Sequence, residues 1–173
     1  MGYGLKPPGG WNGAMFLNWR VKSGKEHPNL EAALNIWQNN VGVTFTKAGL
    51  AASHVDFEVV NEGSISQWSP SKKTLYFKGT ESLGSVLHEV GHLLGMSHEH
   101  DRPDVREQWY ELNPGAFGKA ESVKQAATRE KNLQVYGKID ISSIMQYPES
   151  KYKLAIIPSA GDIAAVKAIN GFA

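Results

Sequence analysis

The sequence predicts an α+β or α/β fold, a mainly parallel sheet with helices packed against it. Three observations point there. Apolar runs of strand length occur at Ala14–Val21, Val43–Thr46, His54–Val60 and Thr74–Lys78. Helical periodicity follows Pro28 and returns over Leu83–Met96. The two kinds of segment run strand, helix, strand, strand, strand, helix.

Each element has its own local cause. Met1–Gly10 is a loose Gly/Pro-rich start, and Ala14–Val21 (AMFLNWRV) then reads as a buried strand. Pro28 opens a helix, where its missing N–H costs nothing; Leu30, Ala33, Leu34, Trp37 and Val41 share one face, and Gly42 ends the run. Three strands follow, with Gly63–Pro70 (GSISQWSP) as a loop or a short edge strand between the last two. The second long helix, Leu83–Met96, starts after Glu81-Ser82 and stops at Gly95. Beyond Ser97 the pattern is broken by Pro103, Pro114, Gly115 and Gly118; Lys119–Val135 is expected as a third helix. Ser159–Asn170 is a last helix, capped by Ser159 with Asp162 three residues on and closed by Gly171.

At 173 residues the chain fits one domain, 1–173, with enough Trp, Tyr and Phe to bury a core. The net charge of +1 and scattered Lys and Arg give no reason to expect nucleic acid or a membrane as partner. No run is long and apolar enough to span a bilayer, and Met1–Gly10 is too polar for a signal peptide, so any export signal or pro-segment is expected to lie outside this chain. The absence of cysteine excludes disulfides, thiolate nucleophiles and thiolate-bound metal.

The informative stretch is HEVGHLLGMSHEHDRPD, His88 to Asp104. Residues four apart on a helix share a face, so His88 and His92 can direct two imidazoles at one ion. Glu89, one position away, can act on the water at an open coordination position. Gly95 can take positive φ and turn the chain, which returns His98 to the same ion. Three imidazoles and a water make a catalytic rather than a closed structural zinc site, with one Zn2+ expected. Chance assembly of H-E-x-x-H-x-x-G-x-x-H is roughly one in ten thousand or rarer.

With Gly95 and His98 in place, the chain resembles the metzincin clan, and within it the astacin family. The residues that carry the likeness are the extended zinc motif, the run Glu99-His100-Asp101-Arg102-Pro103-Asp104, and the Met-turn Ser143-Ile144-Met145-Gln146-Tyr147. It covers most of the chain, from about Trp11 onward. The resemblance implies a metzincin-like two-lobed catalytic domain: a twisted, mainly parallel five-stranded sheet with two long helices above it (about 1–96), and an irregular lower lobe with a C-terminal helix (about 97–173). It implies Met145 as an apolar floor beneath the three His. Tyr147 becomes a switchable zinc ligand that hydrogen-bonds the tetrahedral intermediate, and Glu99 an anchor for the mature N-terminus. Ser64–Trp68 is the matching edge strand that pairs with substrate backbone.

The chain departs from the family in lacking its usual two disulfides, in Gln146 where His is common, and in Val105-Arg106 after Asp104. The expected activity is endopeptidase hydrolysis of a protein or peptide, with Glu89 as general base, by a secreted monomer. A zinc-binding module of the same fold without catalysis is the alternative, and a zinc amidase or single-target toxin a further one. The specificity pocket is expected along Tyr147–Pro158, where Lys151 and Lys153 would favour acidic side chains. His100 reads as a surface polar residue, Glu99 equally as anchor or charged loop residue, and nothing ties His27 or His54 to the metal.

Overall fold

The computed structural model describes residues 3–5, 16–22, 24–48, 55–60, 66–104, 133–146 and 155–171. Its elements are strands β1 (Tyr3–Leu5) and β2 (Phe16–Val21), helix α1 (Leu30–Val41), strands β3 (Thr44–Lys47), β4 (Val55–Val60), β5 (Gln67–Ser69) and β6 (Thr74–Lys78), and helix α2 (Leu83–Leu93). A 3-10 turn at Glu99–Asp101, strand β7 (Leu133–Val135) and helix α3 (Ala160–Asn170) complete them.

Among the described residues five strands form one sheet in the order β3-β2-β4-β6-β5, parallel except for β5, which lies antiparallel to β6 at the edge. The mainly parallel sheet expected from the element order, and the α+β class that the family resemblance implies, are therefore present. Its inner face is apolar because alternate residues project the same way: Leu17 and Trp19, Val55 and Phe57, and Leu75 and Phe77 are all buried. Trp19 meets Phe57 edge-on at 5.4 Å, and Phe57 stacks on Phe77 at 6.0 Å, which joins the three central strands. Elsewhere on the sheet, Arg20 pairs with Asp56, its register partner, at 2.6 Å.

Helix α1 buries Leu30, Ala33, Leu34, Trp37 and Val41, the face its periodicity assigned, and ends on Gly42 in the left-handed conformation (φ 80°). Its Trp37 Nε1–H donates to the Leu87 carbonyl at 3.0 Å, so the first helix grips the second one residue before His88.

Three expectations need correction. Helix α2 stops at Leu93, three residues short of Met96. Gly95 at φ 96° makes this end: its N–H donates to His92 O, and Met96 N–H reaches back to Gly91 O, both at 3.0 Å. This paired bonding satisfies the last carbonyls and reverses the chain. The N-terminal segment is not wholly loose either, since Tyr3–Leu5 is a strand. It pairs antiparallel with Leu133–Val135, in the register Tyr3↔Val135. The third expected helix therefore cannot extend to Val135, because its last three residues belong to that ladder; the remainder of Lys119–Val135 lies outside the described residues. Among the described residues, no helix is long and apolar enough to cross a membrane.

Candidate metal centre

Helix α2 opens on Ser82, whose Oγ accepts the Ser85 N–H at 3.2 Å, and presents His88 and His92 one turn apart. The bend at Gly95 then carries the chain back, and His98 joins them. The ring centroids lie 4.8 Å (His88–His92), 5.2 Å (His88–His98) and 4.7 Å (His92–His98) apart.

Hydrogen bonds settle which nitrogen each helical imidazole presents. His88 Nδ1 lies 2.7 Å from Ile144 O, and His92 Nδ1 lies 2.8 Å from Met96 O. A carbonyl oxygen only accepts, so both Nδ1 atoms carry the proton and both Nε2 atoms keep a lone pair. The Nε2 of His98 stands 3.1 Å from that of His92 and 3.2 Å from that of His88. Two nitrogens bound at ~2.0–2.1 Å to one tetrahedral ion would be about 3.3–3.4 Å apart, so this spacing suits a shared zinc. Burial pushes the His88 pKa down, and burial together with His98 and His88 pushes that of His92 well down. Both rings are neutral near pH 7, the form a metal requires.

Glu89 follows His88 directly. Its carboxyl pKa is raised to about 8, first by burial and then by the charge of Glu81. Glu89 Oε2 is buried with no hydrogen-bond partner among the described residues. A buried, unpartnered carboxylate oxygen is costly unless something else in the working site occupies it.

Met145 is fully buried against helix α2, and Gly91, between His88 and His92, is what lets it approach. A Cβ at position 91 would stand 2.5 Å from the Met145 sulfur. The turn that holds Met145 is tied to helix α3 by Asp162, a buried carboxylate. It accepts from Ser143 Oγ at 2.5 Å, from Ile144 N–H at 3.0 Å and from Ser159 N–H at 2.9 Å. Since Ile144 O in turn receives His88 Nδ1–H, the cap of α3 reaches the first imidazole through the backbone of a single residue, Ile144. Asp162→Asn replaces an acceptor by a donor facing donors. It is expected to lower the unfolding free energy by about 1–3 kcal/mol in urea titration. A loss within error of zero would show that these bonds are exchanged for water.

The other candidate residues fall out differently. His100, expected at the surface, is 2% exposed, because the 3-10 turn folds it onto His98 at 4.9 Å with the rings nearly parallel (13°); burial lowers its pKa to about 4. Glu99 is fully buried and bound to Arg102, so it is not a solvated loop charge. His27 is buried beside Phe77, its Nδ1 accepting from Asn29 N–H, away from the metal cluster as anticipated. The edge strand is Gln67–Ser69, overlapping the expected Ser64–Trp68 at two residues, with residues 61–65 outside the described set. Tyr147, His54, Lys151 and Lys153 also lie outside the described residues. Sequence reasoning missed Glu81, Asp101 and the second role of Asp162. The Ser159-x-x-Asp162 spacing was its signal as a cap, but nothing local announced a bond to the Met145 turn.

Comparison with known proteins bears on the whole arrangement. The family model described as Astacin, a family of peptidases, matches residues 11–160. The zinc metalloproteinase nas-23 of Caenorhabditis elegans is 27% identical over 138 residues, which cover 76% of this chain and 26% of that protein. The chain thus spans about a quarter of the length of that relative. Among solved structures, myroilysin superposes with a TM-score of 0.65 at 18% identity, covering 98% of both chains. High choriolytic enzyme 1, a hatching enzyme zinc-protease of Oryzias latipes, does so with a TM-score of 0.63 at 17% identity, covering 94% of this chain and 92% of its own. At such identities the two structures speak for the fold alone, and the family match speaks for descent. The chain belongs to the astacin family of metallopeptidases.

Proposed function

We propose that this chain is a zinc-dependent endopeptidase, its single ion held by His88, His92 and His98, with Glu89 as general base. One observation carries the reading: three imidazole Nε2 atoms converge, and the residue next to His88 carries a buried carboxyl oxygen with no hydrogen-bond partner among the described residues. A zinc ion held by His88, His92 and His98 would lower the pKa of a water to about 7 and would polarise a carbonyl.

The chain's own residues supply the rest. Glu89 takes a proton from the attacking water and passes it to the leaving amine, a transfer suited to a carboxyl whose affinity for protons has been raised. Tyr147, by the family resemblance, donates a hydrogen bond to the oxygen that becomes negative. Strand β5 lies at the end of the sheet order, so its outer edge offers backbone groups to an extended substrate, a mode indifferent to side-chain identity. Substrates are then proteins or peptides. Secretion and a monomeric state go with this reading.

The test is metal removal. Purified protein is expected to contain one zinc per chain, to cleave unfolded casein, to lose that activity on chelation, and to regain it with added zinc. Bound zinc without cleavage would favour the silent module instead. Cleavage indifferent to chelator would sink the zinc mechanism.

A further inference from the structure

The third imidazole is held differently from the other two. His88 and His92 give their Nδ1 protons to backbone carbonyls, those of Ile144 and Met96. His98 stands outside the helix, about one-fifth exposed, and its Nδ1 faces a carboxylate oxygen, Asp101 Oδ2, at 3.3 Å. The contact is built into the turn. Asp101 N–H donates to His98 O at 3.1 Å, closing a loop that sets the two side chains three residues apart on one side. His100, buried between them in sequence, covers one face of the His98 ring.

We propose that Asp101 is a positioning residue of the metal centre: its carboxylate accepts the Nδ1–H of His98, fixing the tautomer and turning Nε2 toward the ion. This rests on the zinc reading above. Metal-bound histidines gain basicity and orientation from a carboxylate on the far nitrogen, and losing such a partner commonly weakens metal binding by about 10–100-fold.

The same atoms permit a rival. His98, His100 and Asp101 bring ligand atoms within 4.8 Å of one another, a grouping that could hold a second ion. For His98 to serve both ions it would have to lose its last ring proton and bridge them as imidazolate. Donating that proton to Asp101 asks for nothing unusual, and the carboxylate lies nearer to His98 than to His100 Nε2 (3.3 against 3.8 Å).

The experiment measures zinc affinity by competition with a chromophoric chelator, in wild type, Asp101→Ala and Asp101→Asn. It also records the visible spectrum of each cobalt-substituted protein and the thermal midpoint of each metal-stripped one. Asp101→Ala is expected to bind zinc about tenfold more weakly or worse, with altered cobalt bands. Its metal-stripped midpoint should stay at the wild-type value, which a merely structural role would lower. Asn keeps an oxygen that can accept the proton, so Asp101→Asn should fall between the two. Wild-type affinity and an unchanged cobalt spectrum in Asp101→Ala would overturn this inference and leave the zinc site standing. Two zinc ions in wild type and one in Asp101→Ala would overturn it in favour of the second-ion site. A wild type that binds no zinc would overturn both readings.

Discussion

Replacing Glu89 by glutamine is expected to cut peptide hydrolysis by about a thousandfold while zinc content stays at the wild-type value. General-base removal typically costs about 10²–10⁴-fold, and the amide cannot take a proton from water. Because Glu89 does not supply one of the converging Nε2 atoms, the metal cluster should survive the change.

The same substitution has a second signature. In protein stripped of metal, the Glu89 carboxyl holds its proton to about pH 8, whereas its ordinary value is 4.5. A carboxyl with a raised folded pKa stabilises the fold fully below its unfolded pKa. That contribution is lost as pH rises through the folded value. Wild type should therefore lose stability relative to Glu89→Gln between about pH 4.5 and 8, measured as the difference in urea midpoint. His88 and His92, whose pKa values burial depresses, give the opposite trend: their contribution disappears as pH falls. They do so in both proteins, so the difference isolates Glu89. Equal turnover in the two proteins would sink the base assignment, and parallel pH curves would show a carboxyl that is better solvated than its burial implies.

What could be read in the residues depended on how far apart the causes lay. The pairing of His88 with His92, the return of His98 and the bend at Gly95 all lie within eleven positions, and helical geometry plus one flexible glycine suffices to infer them. The face of α1 was legible for the same reason. The strand Tyr3–Leu5 was not, because its partner is Leu133–Val135 and no local pattern in a Gly/Pro-rich start reveals a ladder closed across most of the chain. The burial of His100 was missed because it follows from the path of a three-residue turn, not from the residue's polarity. Asp162 shows the boundary within one side chain. Its capping of α3 is local and was foreseen, while its bond to Ile144 N–H crosses 18 positions and was not.

Arg102→Met is the stability counterpart of the Glu89 change, with an expected loss of about 3–5 kcal/mol at pH 7. The guanidinium is fully buried and its hydrogen bonds run in several directions. Nη1 donates to Glu99 Oε1 at 3.0 Å and Lys138 O at 3.1 Å; Nη2 donates to Asp104 Oδ2 at 2.9 Å and Gly137 O at 2.7 Å; Nε donates to Asp104 Oδ1 at 3.0 Å. Methionine would fill much of the space but strand the Glu99 carboxylate, which is buried completely and among the described residues keeps the bond from Asp140 N–H at 2.9 Å. Burial already pushes the Glu99 pKa up, against the opposing pull of that amide and of Arg102. Without the arginine it should take up a proton or unfold its loop. A double variant, Glu99→Gln with Arg102→Met, removes the stranded charge and is expected to recover more than half of the loss. The damage should also reach the metal, because Glu99 directly follows His98 and its N–H donates to Met145 O at 3.1 Å. Zinc affinity should therefore fall in Arg102→Met and return in part in the double variant. If Arg102→Met cost less than about 1 kcal/mol, the value of an exposed pair, Arg102 would be shown to be solvated and the turn around Glu99 to be held by other contacts.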